Sequence, residues 1–170
     1  MTVRVLRMAD IQTVSIVIAS ASVVAGIVYY AFELRNQTKM RQTDLIMRLQ
    51  STWRSRELRE SYVAVMKLKF KDYDEYAKKY PLWDGQGTPE TRAIVEVCSF
   101  FDGVGILLHR KLIDIEMVDE LFSFYIKAAW EKVKPGIEGR RKDLDPSLRK
   151  WFEYLYNEMK KREQKLQQSA

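Results

Sequence analysis

The chain has 170 residues, of which 46% are hydrophobic and 31% charged, with a formal net charge of +6. This length leaves room for one soluble domain of ordinary size beside a membrane segment. The single cysteine, Cys98, excludes an internal disulfide framework and a cysteine-only zinc site. The single histidine, His109, excludes most histidine-based metal sites, and no cofactor is expected.

The first element in chain order is a run without charged side chains, residues 11–32, which follows an N-terminal flank, residues 1–10. At about 1.5 Å per residue, a helix of this length reaches about 33 Å, enough for a hydrocarbon core of about 30 Å. Lipid offers the backbone no hydrogen-bond partners, so a helix is favoured despite the many β-branched residues. The run predicts one transmembrane helix in the cell membrane.

Basic residues on the two sides of the span indicate its orientation. The excess on the C-terminal side favours a cytoplasmic location for the domain that follows. A cleaved signal peptide is the alternative, but its apolar region is usually about 7–15 residues and ends at small residues, whereas this run ends in Tyr-Tyr-Ala-Phe. The basic residues are Arg4 and Arg7 before the span, and Arg35, Lys39, Arg41 and Arg48 after it.

Small residues recur inside the span at helical spacing. Ser15, Ala19, Ser22 and Gly26 form a candidate packing face on which two helices could approach closely. A span rich in alanine and serine also produces such spacing by chance. If the face mediates self-association, Gly26→Leu abolishes it.

Residues 33–56 are expected to continue the helix as a polar neck, and the domain itself is expected over residues 57–166. A second helix is predicted from Glu57 to Tyr80, followed by the proline- and glycine-containing loop at residues 81–87. The apolar face of the neck comprises Leu45, Ile46, Leu49 and Trp53.

Three further helices follow. Thr88 is predicted to cap a helix that runs to about Arg110, and Asp114 a helix that ends at Pro135-Gly136. Asp145-Pro146 is predicted to begin the last helix, before a disordered tail at residues 167–170. No segment of useful length has strand periodicity, so the prediction is an all-α fold, a bundle of about four helices on a helical stalk.

Basic residues that lie near a membrane could contact anionic lipid head groups. Nucleic-acid binding is weakly supported, because no recognised motif or stacking pattern accompanies the positive charge. The candidates for lipid contact are Arg35, Lys39, Arg140, Arg141 and Lys142.

Two carboxylates, Glu96 and Asp102, interrupt an otherwise apolar helix. Asp102 is the more enclosed on the helical pattern, and a buried charge needs partners. We expect a structural ion pair with Arg54 or Arg56, or a bond from the Trp53 indole, and keep a catalytic acid as the alternative.

Cys98 and His109 are the only candidates for a Cys/His nucleophile pair. They lie three helical turns apart, about 16 Å, which is too far for proton transfer. Cys98 is interpreted as a small buried hydrophobe, and His109 as a cation at a helix C-terminus.

An aromatic-aromatic-Asp-Gly-x-Gly helix, Phe100 to Gly105, is followed by Trp130-Glu131 and by Trp151-Phe152-Glu153. With these motifs the chain resembles an uncharacterised family of small prokaryotic proteins, bacterial and archaeal, that have one N-terminal span and a helical soluble domain. The resemblance covers most of the chain after the span. It implies the architecture and no known activity.

The leading hypothesis is a membrane-tethered helical interaction module, or an accessory subunit of a membrane complex, without catalytic activity. Its expected partners are the lipid bilayer and a protein partner or a second copy of the chain. One alternative is an enzyme that uses Asp102 or Glu96. Another is a membrane-acting stress or defence effector.

Overall fold

A computed structural model describes residues 2–81 and 87–168, with side chains from residue 18 onward. These residues form six helices and no strand, which confirms the all-α prediction. The chain divides into two compact units, Met1–Arg41 and Gln42–Ala170. The helices are α1 (Thr2–Trp53), α2 (Arg56–Met66), α3 (Tyr73–Lys79), α4 (Pro89–His109), α5 (Ile115–Asp143) and α6 (Lys150–Gln168).

The first unit is the N-terminal part of α1. Every side chain from Ile18 to Phe32 is exposed, and the large apolar ones range from 49% exposed at Val28 to 71% at Tyr29. The described part of α1 is long and apolar enough to cross a membrane, and none of its apolar window is buried by protein.

The second unit is a helical bundle with α4 at its centre. α4 packs mainly against α6 and α2, while α5 packs against α6 and carries α3 on its surface. The expected bundle of about four helices therefore corresponds to α2, α4, α5 and α6. Its most completely buried side chains include Val65, Val97, Phe101, Val104, Phe122, Ile126, Trp130, Phe152, Leu155 and Met159.

Two helix starts lie where local sequence predicts them. The Thr88 hydroxyl oxygen accepts a bond from the Thr91 N–H at 3.2 Å, and Asp114 accepts one from the Glu116 N–H at 2.6 Å. Each side chain satisfies a backbone donor that has no partner within its own helix.

The prediction of one continuous helix from Glu57 to Tyr80 is wrong, because this segment forms two helices. α2 ends at Met66, and α3 begins at Tyr73 after an irregular segment. Asp72 causes the restart, since its carboxylate accepts a bond from the Glu75 N–H at 2.9 Å.

The predicted helix end at Pro135-Gly136 is also wrong, because α5 continues to Asp143. An interior proline costs about 3 kcal/mol. Packing beyond it compensates: a Cβ atom at Gly136 would overlap the Tyr76 ring of α3, and one at Gly139 would overlap the ring of Tyr73. These two glycines let α3 lie directly on α5.

The last helix begins later than predicted, at Lys150. Asp145 does not cap it, since its carboxylate instead accepts bonds from the N–H and hydroxyl of Ser147, at 2.8 and 2.9 Å, in a turn before the helix. α6 extends to Gln168, so Gln167 and Gln168 are helical rather than disordered, and residues 169–170 lie outside the described part of the chain.

Gly105 sets the approach of α4 to α6. A Cβ atom there would lie 2.7 Å from the carbonyl carbon of Trp151 and closer still to its oxygen, whereas one at Gly103 would meet nothing within 4 Å. Gly105 is therefore a site of close approach between the two helices, and Gly103 is not.

We expect Gly105→Ala to lower the free energy of unfolding by about 1–3 kcal/mol, because the backbone of Trp151 has to move. Gly103→Ala on the same helix is the matched control and should raise stability by about 0.5–1 kcal/mol through helix propensity. Urea unfolding followed by circular dichroism measures both. Equal effects of the two substitutions would contradict the close approach.

Candidate functional site

Asp102, the carboxylate singled out in the sequence, faces the start of α6. Its Oδ1 accepts bonds from the backbone N–H groups of Trp151 at 3.1 Å and Phe152 at 2.9 Å. Both donors belong to the first turn of α6, where backbone N–H groups have no partner within the helix. A negative charge is also favoured there by the helix dipole. Asp102 therefore caps α6 from a neighbouring helix.

Arg149, the residue before α6, also contacts α4 next to Asp102. Its backbone has φ 56°, in the left-handed region that non-glycine residues seldom adopt. Its guanidinium donates to the Ser99 hydroxyl at 2.9 Å and lies 3.9 Å from Asp102 Oδ2. These contacts with α4 hold the residue that immediately precedes α6.

The expected pairing of Asp102 with Arg54 or Arg56 is wrong. Both arginines are exposed, and Arg56 donates to Glu60 at 2.7 Å within its own helix. The cation that pairs with Asp102 is Arg149. No local pattern indicates this pairing, because the two residues come from helices far apart in sequence.

The expected hydrogen bond from the Trp53 indole to Asp102 is wrong as well. Its ring packs among aromatic side chains, 5.2 Å between centroids from Phe101 and 5.0 Å from Tyr125.

Glu96, the second carboxylate, is exposed and accepts a bond from the Ser61 hydroxyl at 2.5 Å. Asp102 is 23% exposed in its side chain and is engaged by two N–H groups and a guanidinium. This geometry supports a structural role for Asp102, and it removes the observation that motivated a catalytic acid.

Cys98 and Tyr76 are buried side by side with a small cavity. Burial raises the pKa of the Cys98 thiol to about 12, with Arg149 opposing and Asp102 adding to the rise. Burial likewise raises the pKa of the Tyr76 hydroxyl to about 12, against the opposing charge of Arg140. A thiol in this state is not a nucleophile at neutral pH, in agreement with its interpretation as a buried hydrophobe.

We expect the free energy of unfolding to fall as the pH rises from about 9 to about 12. In that range unfolded Cys98 and Tyr76 lose their protons, since their ordinary pKa values are about 8.5 and 10, while the folded groups keep them. The unfolded state then binds fewer protons, so the stability present below this range is lost, by about 1 kcal/mol or more at pH 10.5.

Urea unfolding at a series of pH values measures this loss. The double variant Cys98→Ala/Tyr76→Phe lacks both groups and should show a flatter dependence. An unchanged slope in that variant would contradict the assignment.

The basic cluster at residues 140–142 was predicted to contact lipid head groups, and two of its members are instead internal. Arg140 is 5% exposed; it donates to the Tyr80 carbonyl, and its guanidinium lies 5.0 Å from the centroid of the Tyr76 ring. Arg141 donates to Glu153 at 2.6 Å and to the Leu148 carbonyl at 2.9 Å. The prediction is wrong for both.

Lys142 is the exposed member of that cluster. All three residues lie on the part of α5 that continues beyond Pro135, which the predicted helix end had assigned to a connection. Successive residues of a helix point in different directions, so the three do not share one face.

His109 is exposed at the end of α4, where it was expected. Its ring packs against two aromatic side chains of α6, with centroids 4.5 Å from Trp151 and 5.3 Å from Tyr154. It contributes to the contact between α4 and α6.

The residues proposed to pack or anchor the span are partly described. Ala19, Ser22 and Gly26 are exposed, while the Ser15 side chain lies outside the described residues. Ser22 donates its hydroxyl to the Ile18 carbonyl at 2.8 Å, so this polar group is satisfied within the helix. No atom would lie within 4 Å of a Cβ at Gly26, which leaves that face open. Arg35 and Lys39 are exposed.

Among the described residues, no group of three or more His, Cys, Asp or Glu side chains could hold a metal ion.

The comparisons with known proteins identify a family and no individual relative. The model of the family described as "Domain of unknown function (DUF4760)" matches residues 16–159, most of the chain. The chain belongs to this family. No curated protein and no solved structure is significantly similar to it.

The DUF4760 match confirms the predicted membership of an uncharacterised family, while the prokaryotic source stays a prediction. The match covers residues 16–32 of the apolar run, all of α2 to α5, and the first half of α6. A DUF4760 domain in this protein therefore includes the candidate span and the Asp102 cap.

Proposed function

We propose that this protein is a single-pass membrane protein whose helical domain, residues 42–168, lies on the cytoplasmic side. There it would bind a protein partner or a second copy of the chain, as an interaction module or accessory subunit of a membrane complex. No catalytic step is part of the proposal.

The observation that carries the proposal is the exposure of the apolar run. From Ile18 to Phe32 no side chain is buried, although this stretch has no charged residue. A soluble chain seldom leaves so much contiguous apolar surface in water. A bilayer covers such a surface, and the helical backbone is already satisfied within lipid.

The orientation rests on the basic residues beside the span. Two basic residues precede the span, and four follow it within a short distance. Of those that follow, Arg35 and Lys39 are the nearest, and both are exposed. Basic side chains are retained on the cytoplasmic side, where Arg35 and Lys39 would meet anionic head groups.

An exposed aromatic side chain, continued by two partly buried ones, supports the interaction role. Phe124 on α5 is 72% exposed and packs edge to face on Tyr125, with centroids 5.5 Å apart. Tyr125 in turn contacts Tyr62 of α2 at 5.5 Å. Aromatic residues are enriched at protein interfaces and supply most of the binding energy there. We name Tyr62, Phe124 and Tyr125 the aromatic edge.

Two measurements test the proposal. Protease added to sealed vesicles should digest the domain only when the cytoplasmic face is outside. The full-length chain purified in several mild detergents should elute with a stoichiometric partner or as a homo-oligomer. A clean monomer in every detergent, or digestion from the opposite face, would contradict the proposal.

The aromatic edge is tested by Phe124→Ser, which should weaken the association at least about tenfold, as expected of an interface anchor. Leu144→Ser is the matched control, because Leu144 is also an exposed apolar residue at 57% but lies outside the aromatic edge. Equal weakening by both substitutions would remove the aromatic edge from the proposal.

A further inference from the structure

We propose that the cavity beside Cys98 binds a small organic carboxylate, whose charged end is held by Arg140 and Arg149. This inference goes beyond the proposed membrane function and does not depend on it, because every residue involved belongs to the helical domain. It assigns to the domain a ligand of a stated chemical class.

The cavity lies where α3, α4, α5 and the turn before α6 meet. Its volume is about 40 Å³. A water molecule needs roughly 10–15 Å³ measured in this way, so the cavity has room for about three or four small atoms. Formate and acetate are of this size. The lining includes Tyr76, Ile94, Cys98, Ile137, Arg140 and Arg149.

Arg140 is the first reason to expect an anion. It is 5% exposed, yet among the described residues no Asp or Glu oxygen lies within 4.0 Å of its guanidinium. One of its nitrogens donates to the Tyr80 carbonyl, and its charge is further stabilised by the Tyr76 ring. A buried cation without an opposite charge costs several kcal/mol, and an anion in the cavity would supply that charge.

The nearby acids are already engaged. Asp143 accepts a bond from the Tyr73 hydroxyl. Asp102 Oδ1 accepts bonds from two backbone N–H groups of α6, and its Oδ2 lies 3.9 Å from the Arg149 guanidinium. Among the described residues that line the cavity, Arg140 and Arg149 are cations and none is an Asp or Glu, so the cavity wall itself is positively charged.

The remaining lining fits the rest of such a ligand. A guanidinium offers two parallel N–H groups that match the two oxygens of a carboxylate. Ile94 and Ile137 supply apolar wall for a short aliphatic end, and the Cys98 thiol is uncharged at neutral pH and does not repel the anion. A cavity lined by two guanidinium groups and by aliphatic side chains favours an organic carboxylate over an inorganic ion.

The experiment titrates the full-length chain in non-ionic detergent with sodium formate and sodium acetate at constant ionic strength. Saturation-transfer NMR reports ligand binding, and the NMR chemical shift of isotope-labelled Cys98, the only cysteine, reports occupation of the cavity. We expect saturable binding and a saturable change in the Cys98 chemical shift with at least one of the two carboxylates. Sodium phosphate and sodium chloride are titrated separately, and binding of these ions alone overturns the proposal.

Matched variants distinguish binding at this cavity from a general attraction of anions to a positively charged protein. Arg149→Gln and Arg140→Lys should each weaken carboxylate binding at least about tenfold, the second because a lysine keeps the charge but loses the planar fork. Lys142→Gln removes an equal charge from an exposed neighbour and should leave binding unchanged. Circular dichroism checks that each variant is folded. Equal weakening by Lys142→Gln overturns the proposal.

Asp84 follows Tyr80 closely in the sequence and lies outside the described residues, so its carboxylate is tested separately. Asp84→Asn should leave carboxylate binding unchanged. Binding that occurs only in Asp84→Asn would show that the wild-type cavity is neutralised from within the chain, and it would overturn the proposal.

Discussion

Trp53→Ala should lower the free energy of unfolding of the domain by about 3–5 kcal/mol, the usual cost of removing a buried tryptophan. Trp53 is the last residue of α1 and is 4% exposed. Its ring contacts five aromatic side chains, and such pairs add stability beyond the area they bury. The partners are Tyr62, Phe100, Phe101, Phe122 and Tyr125.

Urea unfolding monitored by far-ultraviolet circular dichroism measures the effect of Trp53→Ala. Met47→Ala, on the same helix, is the control: Met47 is 56% exposed, and its removal should change stability by about 0.5 kcal/mol or less. If the two substitutions cost the same, Trp53 is not part of the domain core, and α1 ends outside it.

Asp102→Ala should lower the free energy of unfolding by about 2–4 kcal/mol, because it leaves two N–H groups of α6 without their acceptor and Arg149 without its ionic partner. Asp102→Asn keeps an acceptor oxygen but loses the charge, so it should cost less than Asp102→Ala. Chemical denaturation gives the order of the two variants.

Glu96→Gln is the control for this pair, since Glu96 is exposed and should contribute about 0.5 kcal/mol or less. Hydrogen exchange at the Trp151 and Phe152 amides gives a second readout. Those two amides should exchange faster in Asp102→Ala than in wild type. Unchanged exchange together with unchanged stability would rule out the capping role.

Local sequence was sufficient where the deciding interaction is itself local. Thr88 and Asp114 begin α4 and α5 as predicted, because a cap needs only a side-chain oxygen and an N–H two or three residues later. The residues at helical spacing on α4 are likewise all buried: Ile94, Val97, Cys98, Phe101, Val104, Gly105 and Leu108.

Sequence reasoning failed where packing between distant segments outweighs a local preference. Pro135 is a helix breaker by local rules, yet α5 continues because Gly136 and Gly139 accept the rings of α3. Arg140 then lies inside the domain, although a run of three basic residues is usually a solvated surface.

The candidate site shows the same limit. Asp102 was identified as a carboxylate that needs partners, but the partners come from α6 and the turn before it. The sequence did carry one signal: the residue before Lys150 is Arg149, which has no side-chain oxygen to cap α6, so the acceptor had to come from elsewhere. Asp145-Pro146 concealed it, because this pair has the form of a helix start and instead makes a turn with Ser147.

Alkaline carbonate extraction of membranes that contain the full-length chain is the most direct measurement of the central claim, that lipid surrounds the apolar part of α1. The protein is expected to stay in the membrane pellet, and a variant with Val23→Asp and Ile27→Lys should be released in part, since charges in the bilayer centre are costly. Recovery of the wild-type chain in the supernatant would contradict the membrane anchor and the function proposed from it.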